Sequence, residues 1–175
     1  RWLLTSDNEF EIRILTYFDG DALKPDFEKI GVSVDCLNIP KISTLNNIVR
    51  KINLTLKYIK KFKPDIVHTQ LLDTDRYGQI AAFLAGVKRR ICTVHNIEQD
   101  EPMGFKITRK ITSILSTQII FVAKCAMKHY CSIGAYPVSK SMVINNAPGF
   151  IDNKFEIKEW DPGKGICRLI NVGRL

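Results

Sequence analysis

Three polar clusters in this chain stand where short apolar runs end: His68-Thr69-Gln70, His95-Asn96 and Asn145-Asn146. Imidazole and carboxamide groups at the ends of strands can meet a ligand in the crevice beyond an open parallel sheet. Their convergence matters more than any one of them. Taken alone, His68 reads first as a strand-end histidine satisfied by a backbone carbonyl. His95 is extended by Asn96, Glu98, Gln99, Asp100 and Glu101 into a polar loop of the kind that carries function. A fourth signal is the run Leu169-Ile170-Asn171-Val172-Gly173-Arg174-Leu175, a short strand running into glycine and arginine. That arrangement brings backbone N–H groups and a guanidinium up to a phosphate.

Other motifs fail on context. Asp73-Thr74-Asp75 suggests a cation site, but Asp75 is equally placed to cap a helix and no third acid lies nearby, so no metal is expected. Gly163-Lys164-Gly165 lacks a third glycine and precedes a strand instead of following one, which excludes a dinucleotide fingerprint and leaves no cofactor to expect. Neither a nucleophile elbow nor a phosphate loop is present. Asn53-Leu54-Thr55 is a formal glycosylation sequon, set aside because it falls within a predicted helix.

The elements that must position these residues alternate. Strands are predicted over 10–17, 32–37, 66–69, 90–94, 118–123 and 141–144, the fifth as an apolar run buried on both faces. Helices are predicted over 42–62, from Asp75 to about Leu84 with Ala85-Gly86 closing it, over 103–115, and over 126–133. Lys63-Pro64-Asp65 ends the first of these, and Asp19-Gly20-Asp21 with Lys24-Pro25 marks a loop. Regular alternation predicts an α/β, Rossmann-like, doubly wound and mostly parallel sheet. The expected organisation is a domain over 1–149, a linker over 150–168 and the first strand of another domain over 169–175. Both ends read as cut.

Composition narrows the classes. The 175 residues carry 45% apolar and 25% charged side chains, a globular balance. A net charge of +8 fits nucleic acid, an anionic membrane surface or plain solubility. No aromatic-basic motif, zinc finger or Arg-rich run supports nucleic acid. Arg50, Lys51, Lys57, Lys60 and Lys61 lie on one predicted helix, with Lys41 and Lys63 at its borders, and Lys106, Arg109 and Lys110 on another. They read as solvated faces or as contacts to anionic lipid. The five scattered cysteines show no zinc spacing and read as idle thiols in a reducing cytosol.

In their order, several segments resemble glycosyltransferase family four, whose members have the two-domain GT-B fold. These are Lys63-Pro64-Asp65-Ile66-Val67-His68-Thr69, Asp75-Arg76-Tyr77-Gly78, Ala85-Gly86-Val87, Thr93-Val94-His95-Asn96, Ile119-Ile120-Phe121-Val122, Val143-Ile144-Asn145-Asn146 and Asn171-Val172-Gly173-Arg174-Leu175. The resemblance implies retaining transfer of a sugar from a nucleotide-sugar donor to a sugar or lipid-linked acceptor, without a metal. It makes this chain the N-terminal, acceptor-side half of the fold. His95 matches the family's catalytic histidine near the transferred sugar. Arg174 and Gly173 lie in the Gly-Arg motif opening the donor domain, and His68, Asn96 and Asn146 are the acceptor-side candidates. Ala123-Lys124 and Asn146-Ala147 depart from the family's Ser-Glu and Asn-Gly.

The expected protein is thus a cytoplasmic glycosyltransferase, peripheral at the inner face of the membrane, with no nucleic-acid partner. The isolated 175 residues are expected to be inactive. The rival readings are a non-catalytic nucleotide- or sugar-binding domain with the same sheet, and a membrane scaffold using only the basic helices.

Overall fold

The computed structural model describes residues 11–18, 23–40, 44–98 and 103–146. The proposed linker over 150–168, the strand over 169–175 with Gly173 and Arg174, and the Asp19-Gly20-Asp21 loop lie outside the described residues. Strand β1 (Arg13–Thr16), helix α1 (Lys24–Lys29), strand β2 (Ser33–Cys36), helix α2 (Leu45–Phe62), strand β3 (Ile66–Gln70) and helix α3 (Leu72–Leu84) come first. They are followed by β4 (Arg89–Val94), α4 (Met103–Leu115), β5 (Gln118–Phe121), α5 (Lys124–Ser132), a 3₁₀ turn (Val138–Lys140) and β6 (Ser141–Val143).

Every strand pairing among the described residues is parallel, as expected where helices alternate with strands. The ladder is in two pieces: β1 pairs with β2, while β3, β4, β5 and β6 form a four-stranded sheet in that order. Because the four strands run the same way, their carboxyl ends share one edge, where His95 and Asn146 fall. His68 is not at a strand end as its sequence suggested but in the middle of β3, opposite Ile91.

The helix boundaries follow from local chemistry. Thr44 caps α2 by accepting a hydrogen bond from the Asn47 N–H at 3.3 Å. Lys63, left-handed at φ 54°, ends it ahead of Pro64. Gly86, at φ 78°, closes α3, with the Gly86 N–H on the Phe83 carbonyl and the Val87 N–H on the Ala82 carbonyl. This is the paired termination that glycine permits without a Cβ clash. Helix α1 occupies the stretch read from sequence as a loop. Pro25 sits in its first turn, where a missing N–H is harmless, so the proline marks a helix start and not a break.

Two apolar clusters hold the layers. Cys92, Val94, Ile119 and Phe121 from the sheet pack with Ala126, Tyr130 and Tyr136. The Phe121 ring meets Tyr136 edge-on at 5.6 Å. Ile59 of α2 packs with Ala81, Ala82 and Val87. In β5 only alternate residues, Ile119 and Phe121, are fully buried, while Gln118 and Ile120 are half-buried. The strand is therefore sealed on one face, not on both as its apolar run suggested.

Helix α3 approaches β3 closely at Gly78. A Cβ there would meet Thr69 Cγ2 at 2.8 Å. Thr69 has little freedom to yield, because its hydroxyl accepts from Gln79 Nε2 at 2.8 Å and donates to the Ile91 carbonyl. We expect Gly78→Ala to destabilise the domain by ~1–3 kcal/mol, overpacking outweighing the gain in helix propensity. Urea denaturation checks this: an unchanged or raised midpoint contradicts the contact.

Candidate active site

His68 lies within β3, with Nε2 2.7 Å from Thr93 Oγ1 of the neighbouring strand. One flank of the ring faces solvent while this nitrogen is part-buried. Burial first, and the nearby His95 second, push the His68 pKa down, which favours the neutral imidazole. His95 stands one residue beyond β4, half-buried, and its Nε2 is enclosed with no hydrogen-bond partner among the described residues. Buried polar atoms are nearly always paired, so Nε2 has an unused hydrogen bond, which a ligand hydroxyl or phosphate can take once the half-buried ring turns toward the strand-end edge.

The loop after His95 is tied down by a residue that the sequence reading did not single out. Tyr130 of α5 donates its hydroxyl hydrogen to the Asn96 carbonyl at 3.2 Å and accepts from the Glu98 N–H at 3.0 Å. A tyrosine on the inward face of a short helix was the available signal. The Asn96 side chain itself is exposed. Asn146 is exposed beyond β6, with the Ile144 N–H on the Phe121 carbonyl extending the ladder toward it. Two strand spacings separate β6 from β4, about 10 Å. His68 thus bonds Thr93 of β4 with His95 near enough to act on its charge, while Asn146 lies at a distance beyond β6.

Arg76 is a cation that the sequence reading left without a role. Its guanidinium lies 5.4 Å from the Phe105 ring and 5.5 Å from the Tyr77 ring, and NH1 donates to the Tyr77 hydroxyl. It joins α3 to the first turn of α4.

Asp75 is not the cap of α3. That helix begins at Leu72 after Leu71, whose positive φ of 75° turns the chain out of β3, and Asp75 faces inward at 5% exposure. Burial raises its pKa to about 7, with the Thr69 hydroxyl and the Arg109 charge pulling the other way. Burial also pushes the Cys92 thiol up to about 12, leaving it protonated and inert. Cys36, Cys92, Cys125 and Cys131 are free thiols. Among the described residues, no three His, Cys, Asp or Glu side chains gather as a metal site.

Two of the basic residues read as solvated are buried. Lys51 is fully enclosed, its ammonium about 5 Å from the rings of Phe18 and Tyr77. Arg109 packs 4.6 Å from the Tyr130 ring, with NH1 on the Tyr136 hydroxyl. Arg50, Lys57, Lys60, Lys61, Lys106 and Lys110 remain exposed.

Parallel strands alternating with helices form a Rossmann-like α/β domain, of the kind that makes up each half of a GT-B fold. The sequence model of Glycosyltransferase Family 4 matches residues 5–147, and the chain belongs to that family. It is 30% identical over 133 residues to the UDP-Gal:alpha-D-GlcNAc-diphosphoundecaprenol alpha-1,3-galactosyltransferase of Escherichia coli, covering 73% of this chain and 32% of that protein. It is 25% identical over 151 residues to the capsular polysaccharide biosynthesis glycosyltransferase CapH of Staphylococcus aureus, covering 82% of this chain and 40% of CapH. The chain thus spans well under half the length of either relative. Among solved structures, a glycosyltransferase from Rickettsia africae superposes with a TM-score of 0.64 at 20% identity, over 77% of this chain and 34% of that one.

Proposed function

We propose that the protein moves a hexose, with retention of anomeric configuration and without a metal, from a nucleotide-sugar donor to a lipid-linked acceptor in glycan synthesis. This domain holds the acceptor side, with His68, Asn96 and Asn146 around His95, and Gly173-Arg174 opens the donor side. The observation that carries the reading is His95, an imidazole at the end of a central strand whose Nε2 has no hydrogen-bond partner among the described residues. The Escherichia coli relative's name specifies a UDP-galactose donor and a diphosphoundecaprenol acceptor, which supports a nucleotide-sugar and a lipid-linked acceptor here. Such an acceptor puts the enzyme at the inner face of a membrane. No helix among the described residues is long and apolar enough to cross one.

Departure of a nucleoside diphosphate builds negative charge, which a fixed cation in a closed cleft stabilises. We assign that contact to Arg174. Arg174→Ala in the full-length protein should reduce turnover by roughly 10²-fold or more. Radiolabelled transfer from a panel of UDP-hexoses to a polyprenyl-diphosphate acceptor measures it. Wild-type kinetics in the variant removes Arg174 from the site, and transfer by the 175 residues alone contradicts a site shared between two domains.

A further inference from the structure

Helix α4 is amphipathic in the reverse of the usual sense. Its polar residues Thr108, Arg109, Thr112 and Ser113 are turned inward, each 8% exposed or less. Met103, Ile107, Ile111 and Ile114 line the outer face at 69%, 57%, 44% and 65% exposure. Specific contacts fix this orientation. Arg109 is held by the Tyr130 ring and the Tyr136 hydroxyl. The helix's last carbonyls accept from Lys140 Nζ at Ser113 and Ile114 and from Arg90 Nε at Leu115. The helix therefore cannot roll to bury its apolar stripe without losing those bonds. Exposed Lys106 and Lys110 flank the stripe, and residues 103–115 contain no acid.

We propose that α4 is a membrane-docking element. Its stripe enters the boundary between headgroups and acyl chains of an anionic bilayer, and Lys106 and Lys110 meet the lipid phosphates. An apolar face bordered by lysines is what an interfacial helix requires. Charge favours lipid over a second copy: α4 packed on α4 about a twofold axis sets lysines against lysines with no acid on the helix to pair them. Helix α4 follows the His95 loop in the chain, so docking brings the strand ends to the membrane surface. This deepens the proposed function and rests on it only for the acceptor.

The test is co-sedimentation of the full-length protein with vesicles of phosphatidylglycerol and phosphatidylcholine, or of phosphatidylcholine alone. Circular dichroism of each variant verifies its fold. Binding should favour the anionic vesicles, and the double variants I107Q/I111Q and K106Q/K110Q should each bind roughly tenfold more weakly. Wild-type binding by I107Q/I111Q overturns the proposal. So does a dimer, seen by analytical ultracentrifugation, that I107Q/I111Q abolishes while vesicle binding persists. Transfer to a water-soluble acceptor is assayed in parallel. Intact transfer without vesicle binding rejects docking alone, and vesicle binding without transfer rejects the enzymatic reading alone.

Discussion

His95→Ala in the full-length protein should lower kcat/KM by roughly 10²–10³-fold, the effect of removing one preorganised group at a developing charge. The same substitution should leave the thermal midpoint unchanged or slightly raised. Nε2 is enclosed without a partner among the described residues, so deleting the ring breaks no hydrogen bond of that nitrogen. This combination separates a functional histidine from a structural one, since a polar group retained against its desolvation penalty signals use elsewhere. A variant with normal kinetics, or one that unfolds while retaining activity per folded molecule, contradicts the role given to His95.

Asp75→Asn should stabilise the domain at pH 8. Burial lifts the Asp75 pKa from an ordinary 3.8 to about 7. A folded-state pKa above the unfolded one means that the native protein holds the extra proton in this window. Its contribution is intact below pH 4 and is lost as pH rises through 7. At about 1.4 kcal/mol per pKa unit, the difference sets an upper bound of about 4 kcal/mol at pH 8. Asparagine keeps the shape and never ionises, so the variant should lack this slope. His68, whose pKa is pushed down, contributes in the opposite sense: its stabilisation is lost as pH falls through its lowered folded pKa. The comparison between wild type and variant isolates Asp75. Guanidinium denaturation at pH 5 and pH 8 checks it. A variant less stable than wild type at pH 8 shows that the ionised carboxylate is a net stabiliser.

Most of the architecture was legible because strand and helix periods alternate cleanly. Helix α4 falls where its apolar spacing put it, and β3 to β6 differ from expectation by only a residue or two at their ends. Periodicity locates a helix but does not say which face turns inward, so the outward stripe of α4 was not visible in advance. Lys51 and Arg109 were read as solvated because a basic residue on a helix usually is. The aromatic rings that enclose them come from distant parts of the chain. Asp75 failed for a related reason: its type suits a cap, but the backbone turn at Leu71 starts the helix earlier and points the carboxylate into the core. His95 was found because strand ends are readable, whereas His68 lies two residues inside β3. Tyr130 and Arg76, which act through contacts between elements, were not.

In the proposed reaction His95 faces the sugar at the mouth of the sheet. Solving the full-length protein with a bound nucleotide-sugar tests this most directly, through the separation of the His95 imidazole from the transferred sugar. We expect hydrogen-bond reach, about 3 Å, with Arg174 bordering the same cleft. A donor sugar seated away from the carboxyl ends of β3 and β4, with His95 walled off from it, contradicts the account.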